Sequence, residues 1–242
     1  MNGLRLSDIY KFTERPVESS WHRPAMMGVH FADGWVEATD AHILIREKYE
    51  YDSELEGKVI GRYGEEIDAV FPDTSKVIPP FLSNCYHSIH IDQNMLYDIC
   101  RVLDVFVKYY DERRYIKVGN SYFSPQLLKT IAATMVRFGC CCMYQYRDDY
   151  LLPSVVPLGY GLMMIQPLYV GDVQDFNYFD FGKKFLGVNE LYCKLKDSVD
   201  ELRRQLEDFK IVRNYRQFKE YKALAVRVGK LQRCMNILHK YN

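Results

Sequence analysis

The first two thirds of the chain alternate short apolar runs with turn residues. Two strands are predicted between Met26 and Tyr49, as the runs MMGVHF and WVEATDAHILIREKYE, joined at Ala32-Asp33-Gly34. Further strand-like runs, CCCMYQY, LLPSVV and GLMMIQPLYV, follow between residues 139 and 170. These runs and turns indicate strand pairs and hairpins.

Three helices are predicted among these strands. Ser7-Asp8 is a typical N-cap for a short helix that ends before Pro16, and Ser124-Pro125 is typical of a helix start, with Ser as cap and Pro in the first turn. The third helix is predicted over residues 94–109. Short helices among strand pairs indicate the α+β class. The predicted apolar faces of the two longer helices are Met95, Ile99, Val102, Leu103 and Phe106, and Leu127, Leu128, Ile131 and Met135.

The last part of the chain has a helical repeat of its own. Two amphipathic helices with a break near Arg213-Asn214 predict an antiparallel helical hairpin over residues 183–242, added to a body of residues 1–182. Because the stripes span only about three heptads, packing on each other or on the body is favoured over coiled-coil assembly. The stripes are Val188, Leu195, Leu202 and Phe209, then Tyr221, Leu224, Val228, Leu231, Met235 and Leu238.

Length and composition indicate a folded protein with a sizeable core, since the chain has 242 residues and is 48% hydrophobic. No run approaches the roughly 18 consecutive apolar residues of a membrane helix, and the N-terminal residues lack the apolar region of a secretory signal. We therefore expect a soluble, cytoplasmic protein that has no contact with membranes.

The formal net charge of zero hides a division along the chain. Residues 183–242 hold 15 Lys and Arg against 7 Asp and Glu, a net charge of +8, which leaves −8 for residues 1–182. The basic part could contact nucleic acid, fold back on the acidic body, or be a solvated helix surface. The first of these interpretations assigns nucleic-acid binding to Arg213, Arg216, Lys219, Lys222, Arg227 and Lys230.

Catalytic and metal motifs are weak. Cys140, Cys141 and Cys142 are not spaced as Cys-x-x-Cys and have no His close behind, so we expect reduced cysteines that serve as small apolar residues in a strand. Asp40 beside His42 could be an acid–base pair, but no motif fixes its geometry. The sequence has no Gly-rich phosphate loop and no His-x-x-x-His spacing. We expect no enzyme activity, no cofactor and no metal site.

Four segments resemble bacterial sliding clamps, the beta subunits of DNA polymerase III. VEATDAHIL is similar to the clamp signature Ala-Thr-Asp-Gly-His-Arg-Leu, and VFPDTSKVIPP to Phe-Pro-Asp-Tyr-x-x-Val-Leu-Pro, which closes the clamp's middle domain. MMIQPLYV resembles the C-terminal Val-Met-Pro-Met, and YFSPQLLKTIAATM resembles the start of a helix in the last domain. All four follow the family's order across residues 4–170. The resemblance implies a clamp-like domain of short helices on curved antiparallel sheet.

The resemblance also implies a function for the polar residues inside WVEATDAHILIREKYE. In clamps the first three segments converge on a hydrophobic pocket that receives short linear peptides of polymerases, clamp loaders and repair proteins. Carried over position by position, the pocket residues would be Thr39, His42, Leu44, Pro72, Val77, Met164, Pro167 and Leu168. The chain departs from the family at Ala41, where clamps have Gly, at Ile43, where they have Arg, and at Gln166, where they have Met.

The implied function is that of a non-catalytic interaction module in DNA replication or repair. Its partners would be linear peptide motifs of replication or repair proteins, with non-specific DNA as a further partner of an oligomer. Residues 1–170 leave room for too few domains to encircle DNA, so a ring would need about six copies. The alternative is a self-associating scaffold or regulatory protein that keeps the clamp fold without clamping DNA. Oligomeric mass distinguishes these alternatives.

Overall fold

The computed structural model describes residues 5–13, 23–78, 85–110, 115–170, 176–177, 186–208 and 215–241. The chain divides into two compact units. The first comprises Met1–Tyr97 and Gly119–Val173, and the second comprises Asp98–Val118 and Gln174–Asn242. The boundary predicted between residues 182 and 183 lies outside the described residues, and the second unit differs from the predicted hairpin in also containing Asp98–Val118.

The described residues form five helices and twelve strands, which confirms the α+β class. The helices are α1 (Leu6–Ile9), α2 (Gln93–Tyr110), α3 (Pro125–Phe138), α4 (Leu186–Asp208) and α5 (Tyr215–Lys240). The strands are β1 (Val29–Ala32), β2 (Trp35–Thr39), β3 (Ile43–Lys48), β4 (Val59–Ile60), β5 (Glu66–Ile67), β6 (Tyr86–His90), β7 (Ile116–Val118), β8 (Ser121–Phe123), β9 (Cys142–Tyr146), β10 (Ser154–Pro157), β11 (Leu162–Ile165) and β12 (Phe176–Asn177).

The first unit is built on a nine-stranded sheet with the order β5-β4-β1-β2-β3-β11-β10-β9-β6. Every neighbouring pair in it is antiparallel. Strands β3 and β11 are paired in this sheet, with Leu44 opposite Met164 and Ile43 opposite Ile165. These strands are far apart in sequence, so the sheet brings two of the family-like segments side by side.

The long strand predicted from Trp35 onward is wrong, because the structure has two strands joined by a turn at residues 40–42. The Asp40 carboxylate accepts the backbone N–H groups of His42 (2.9 Å) and Ile43 (2.8 Å). The Thr39 hydroxyl donates to the Ile43 carbonyl at 2.7 Å and accepts the N–H of Ala41 at 3.0 Å. Side chains that bond their own backbone in this way favour turns over strands. The polar residues therefore build a hairpin turn.

The predicted helices are found with small changes. Residues 94–109 are helical within α2, and α3 begins after Ser124, whose hydroxyl makes no capping hydrogen bond. The predicted N-cap at Ser7-Asp8 is wrong, since α1 already begins at Leu6 and Arg5 is its N-cap. The Asp8 carboxylate accepts the Arg5 N–H at 3.3 Å, so the acidic group closes the first turn from inside the helix. Pro16 lies outside the described residues.

The second unit contains α4 and α5, which contact one another and confirm the two predicted helices. Arg203 donates a 3.2 Å hydrogen bond to Gln232 across this contact. The later part of α2 packs in the same unit, where the Tyr110 hydroxyl donates to Ser198 at 2.7 Å. Three parts of the prediction lie outside the described residues: the break at residues 213–214, Phe209, and the side chain of Val188. Buried apolar side chains of the predicted stripes are Leu195, Leu202, Leu231, Met235 and Leu238.

Among the described residues, no helix combines the length and the apolar character that crossing a membrane requires.

Candidate functional site

A cavity of about 240 Å³ lies in the first unit, where the β2–β3 turn, the segment Pro72–Val77 and the end of β11 meet. It brings together six of the eight predicted pocket residues: Thr39, His42, Leu44, Pro72, Val77 and Met164. Pro167 and Leu168 do not line it. The remaining lining residues are Met26, Ala41, Ile43, Asp73, Thr74, Pro153 and Gln166.

The inner wall of the cavity is part of the hydrophobic core. Leu44 of β3 and Met164 of β11 are paired across the sheet, and both are buried. They pack in one cluster with Val155 and Leu162, and the partly buried Ile78 packs against this cluster. Because these side chains are fixed by the sheet, the apolar wall exists before any ligand arrives.

Two contacts hold the segment that contains Pro72 and Val77 against the sheet. Thr74 donates a 2.6 Å hydrogen bond from its hydroxyl to the buried carboxylate of Glu37 on β2. The ring of Phe71 stacks on His30 of β1, with centroids 4.7 Å apart and planes inclined by 14°. A hydrogen bond to a buried charge and a stacked ring pair are stronger than ordinary surface contacts.

Glu37 is ionised although it is buried. Burial alone would raise the pKa of this carboxyl, but hydrogen bonds from His30 and Thr74 and the positive charge of Arg46 lower it below its usual value. The Arg46 Nε lies 3.1 Å from the Glu37 carboxylate without the alignment of a hydrogen bond. The guanidinium also lies over the Trp35 ring, 4.6 Å from its centroid. Glu37 is thus a charged anchor beneath the Pro72–Val77 segment.

The third segment is tied to the hairpin turn through Gln166. Its backbone N–H donates to the His42 carbonyl at 2.8 Å, and its side-chain amide donates to the Leu151 carbonyl at 2.7 Å. The exposed imidazole of His42 and the exposed amide of Gln166 therefore form a polar edge of the cavity. Where clamps have a Met, this chain has a side chain held by a backbone carbonyl.

Two of the predicted pocket residues, Pro167 and Leu168, lie outside this cavity. The Leu168 N–H donates to the Tyr122 carbonyl at 2.8 Å, and the two residues form an isolated antiparallel bridge. This bond draws the chain toward β8 as soon as β11 ends at Ile165. Pro167 is buried and Leu168 is partly buried, but neither side chain reaches the cavity.

Seven lining residues are not among the predicted pocket residues. Ala41, Ile43 and Gln166 appear in the sequence analysis only as departures from the clamp motifs, and Met26, Asp73, Thr74 and Pro153 were missed altogether. Asp73 and Thr74 lie inside the quoted segment VFPDTSKVIPP, so their position in the motif was a usable signal. Met26 and Pro153 lie outside all four family-like segments. Nothing in the local pattern marks these two, because only the tertiary fold brings them to the cavity.

Five of the six predicted nucleic-acid-binding residues belong to α5, namely Arg216, Lys219, Lys222, Arg227 and Lys230. Arg213 lies outside the described residues, as does the side chain of Arg216. Lys219 and Lys222 are exposed and Lys230 is partly buried. Arg227 lies over the Tyr109 ring, 4.9 Å from its centroid, so its guanidinium contributes to packing in the second unit.

No protein-family model matches the chain, and no curated protein sequence matches it. Solved structures of bacterial clamps are similar to it at low identity. The DNA polymerase III beta sliding clamp from Bartonella birtlesii bound to griselimycin is 17% identical, with a TM-score of 0.49, over 67% of this chain and 63% of that chain. The beta subunit from Streptococcus pyogenes is 11% identical, with a TM-score of 0.49, over 68% and 63%. The Helicobacter pylori beta clamp bound to a DNA ligase peptide is 9% identical, with a TM-score of 0.45, over 68% and 62%. The matched part spans less than two thirds of each clamp chain.

Proposed function

We propose that this protein is a non-catalytic, clamp-like interaction module in DNA replication or repair, and that its cavity binds short linear peptides of partner proteins. The single observation that carries the proposal is the convergence of three sequence segments on one cavity. Those segments were selected from their resemblance to clamp motifs alone. Six of the eight residues they implied line the same cavity, which supports the assignment.

The size and lining of the cavity favour peptide side chains as ligands. Pockets for small molecules are roughly 300–1,000 Å³ in volume, so a cavity of about 240 Å³ fits one or two anchoring side chains better than a whole metabolite. Its inner wall is apolar, and Met26 and Met164 can adapt to anchors of different shape. The exposed His42 and Gln166 supply polar groups at the rim for orientation.

The hydrogen bonds of the hairpin turn support a non-catalytic function. Asp40 was the candidate partner of His42 in acid–base chemistry, yet one oxygen of its carboxylate accepts two backbone N–H groups. An acceptor engaged in this way stabilises a turn and is a poor general base.

Affinity for DNA and self-association form a second part of the proposal. The +8 charge of residues 183–242 and the exposed Lys219 and Lys222 support weak, sequence-independent contacts with phosphates. The sequence resemblance implies a ring of about six copies as the form that would surround DNA. Sedimentation of the purified protein distinguishes a ring, at about six times the chain mass, from the alternative of a smaller self-associating scaffold.

The test is a titration of the full-length protein against a fluorescent peptide of the kind that bacterial clamps bind. Val77 is 56% exposed and lines the cavity, so Val77→Asp should place a charge in it without disturbing the core. Val70 is 95% exposed and does not line the cavity, so Val70→Asp is the matched control. We expect Val77→Asp to weaken binding at least about tenfold, since an unpaired charge at an apolar contact costs more than about 1.4 kcal/mol, and Val70→Asp to leave it unchanged. No binding by the parent, or equal losses in both variants, would contradict the proposal.

A further inference from the structure

The antiparallel pairing of β6 with β9 brings His90 to the cysteine triplet. His90 is directly opposite Cys142 in the register of this pair. The next residues along, Ile91 and Cys141, are joined by a 2.7 Å backbone hydrogen bond. In an antiparallel ladder the pair beside a hydrogen-bonded pair is the close type, with Cα atoms roughly 4.5 Å apart. The imidazole and the Cys142 thiol are therefore neighbours on one face of the sheet.

The second thiol reaches the same place because Cys141 precedes the first residue of β9. Side chains of successive strand residues point to opposite faces, but Cys141 lies outside the strand and need not follow this rule. Its Sγ lies 3.9 Å from the Sγ of Cys142. One ring nitrogen of His90 and the two sulfur atoms all lie within 4.8 Å of one another. His90 is exposed and both cysteines are partly buried, so the cluster is open to solvent.

The distance between the two sulfur atoms matches that of two thiolates on a tetrahedral zinc ion. With Zn–S bonds of about 2.3 Å, two thiolates on one ion are roughly 3.8 Å apart, and Zn–N bonds of about 2.0–2.1 Å place the imidazole nitrogen slightly closer to each sulfur. The observed 3.9 Å between the sulfur atoms needs almost no adjustment. A disulfide needs sulfur atoms about 2.05 Å apart, so the observed geometry favours two separate thiols.

We propose that His90, Cys141 and Cys142 bind a zinc ion through one imidazole and two thiolates, with the fourth position open. Two sulfur ligands select a thiolate-preferring metal over magnesium or calcium, which favour oxygen ligands. Three protein ligands leave the fourth position to water or to a group from a partner. The sequence alone conceals this ligand set, because His90 lies far from the cysteines along the chain. All seven cysteines are free thiols, so none of the ligands is blocked by a disulfide.

The site is separate from the peptide cavity. None of its three residues lines that cavity, and the proposal does not depend on peptide binding. Its ligands come from β6 and from the start of β9, which are held together by backbone hydrogen bonds. The metal would thus be bound by an existing part of the sheet.

The test is a titration of the reduced, full-length protein with Co²⁺, which takes the same tetrahedral ligands and gives an absorption band for thiolate-to-cobalt charge transfer. We expect the band to saturate at one equivalent and to disappear when Zn²⁺ is added. Cys142→Ser and His90→Ala should each weaken Co²⁺ binding at least about tenfold, the range seen when a metal site loses an interaction. Cys141→Ser gives a second test of the thiolate pair if Cys142→Ser does not fold. The control is Cys193→Ser, which changes an exposed free cysteine of α4 and should leave the titration unchanged.

The proposal is overturned if the parent protein gives no thiolate-to-cobalt band. It is also overturned if the band keeps its intensity and midpoint in His90→Ala, which would mean that the cysteines act without the imidazole. Loss of the band in Cys193→Ser would assign the metal to another thiol and would overturn it equally.

Discussion

The hydroxyl of Thr74 lies 2.6 Å from the carboxylate of Glu37 and donates a hydrogen bond to it. This bond joins the segment that carries Pro72 and Val77 to β2, which leads directly into the hairpin turn with Thr39 and His42. Both partners are buried. Two of the three cavity segments are therefore held together by a charge-assisted bond shielded from water, where such bonds are strongest.

Replacing Thr74 by Val should loosen this wall of the cavity. The change keeps the side-chain shape but removes one of the hydrogen bonds to a buried carboxylate, so we expect the free energy of unfolding to fall by about 1–3 kcal/mol. Peptide affinity should fall as well, because Pro72 and Val77 lose their anchor. Urea denaturation and peptide titration measure the two effects. The control is Ser75→Ala, since Ser75 is exposed and its hydrogen bond to Asp73 is local. Equal losses in both variants would contradict the anchoring role of Thr74.

The ionisation of Glu37 makes stability depend on pH. Its pKa in the folded protein is lowered from the usual 4.5, so the unfolded state binds the proton more readily. The stabilisation is therefore fully present above the unfolded value and is lost as the pH falls through the folded pKa. We expect the difference in unfolding free energy between the parent and Glu37→Gln to be larger at pH 7 than at pH 3. A difference that stays constant over this range would show that the carboxylate charge is not the source of the stability.

Ala41 should be improved by the glycine that clamps have at this position. Its φ angle is +75°, in the left-handed region, which costs a residue with a Cβ roughly 1–2 kcal/mol. Glycine removes this cost but adds unfolded-state entropy, so Ala41→Gly should stabilise the protein by up to about 1 kcal/mol. In the helix α3, Ala133→Gly should instead destabilise it by about 1 kcal/mol. Thermal unfolding of both variants measures whether stability rises in Ala41→Gly and falls in Ala133→Gly. A lower stability of Ala41→Gly would show that the backbone at Ala41 is not strained.

The sequence predicted long periodic elements better than it predicted turns. Helices α2 and α3 followed from apolar spacing and from Ser124-Pro125, because these signals are local. The β2–β3 turn was missed, since the apolar residues on both sides have the pattern of one strand and the bonds of Thr39 and Asp40 to the backbone leave no mark on that pattern. The family-like motifs contain six predicted residues that line the cavity, whereas Leu168 lies outside it, because its N–H is bonded to the carbonyl of Tyr122, far away in the sequence.

Any DNA affinity should depend on α5. Because Lys and Arg contacts release counterions, a double change Lys219→Glu and Lys222→Glu should weaken low-salt binding of a DNA duplex and reduce the salt dependence by roughly 0.9 per lost phosphate contact. The control is Lys76→Glu, whose side chain is 79% exposed in the first unit. A mobility-shift series at several salt concentrations measures both. If Lys76→Glu abolishes binding and the double variant retains it, the DNA-binding surface lies in the first unit and not on α5.

Peptide binding in the cavity beside β11 can be tested at two neighbouring methionines. Met164 lines the cavity, whereas Met163 is buried without lining it, because successive residues of a strand point to opposite faces. Methionine-methyl NMR of the full-length protein during titration with a clamp-binding peptide reports on both. We expect the Met164 and Met26 methyl signals to shift progressively to saturation while the Met163 signal stays in place. A peptide that binds without shifting the Met164 signal, or that shifts the Met163 signal equally, would contradict binding in this cavity.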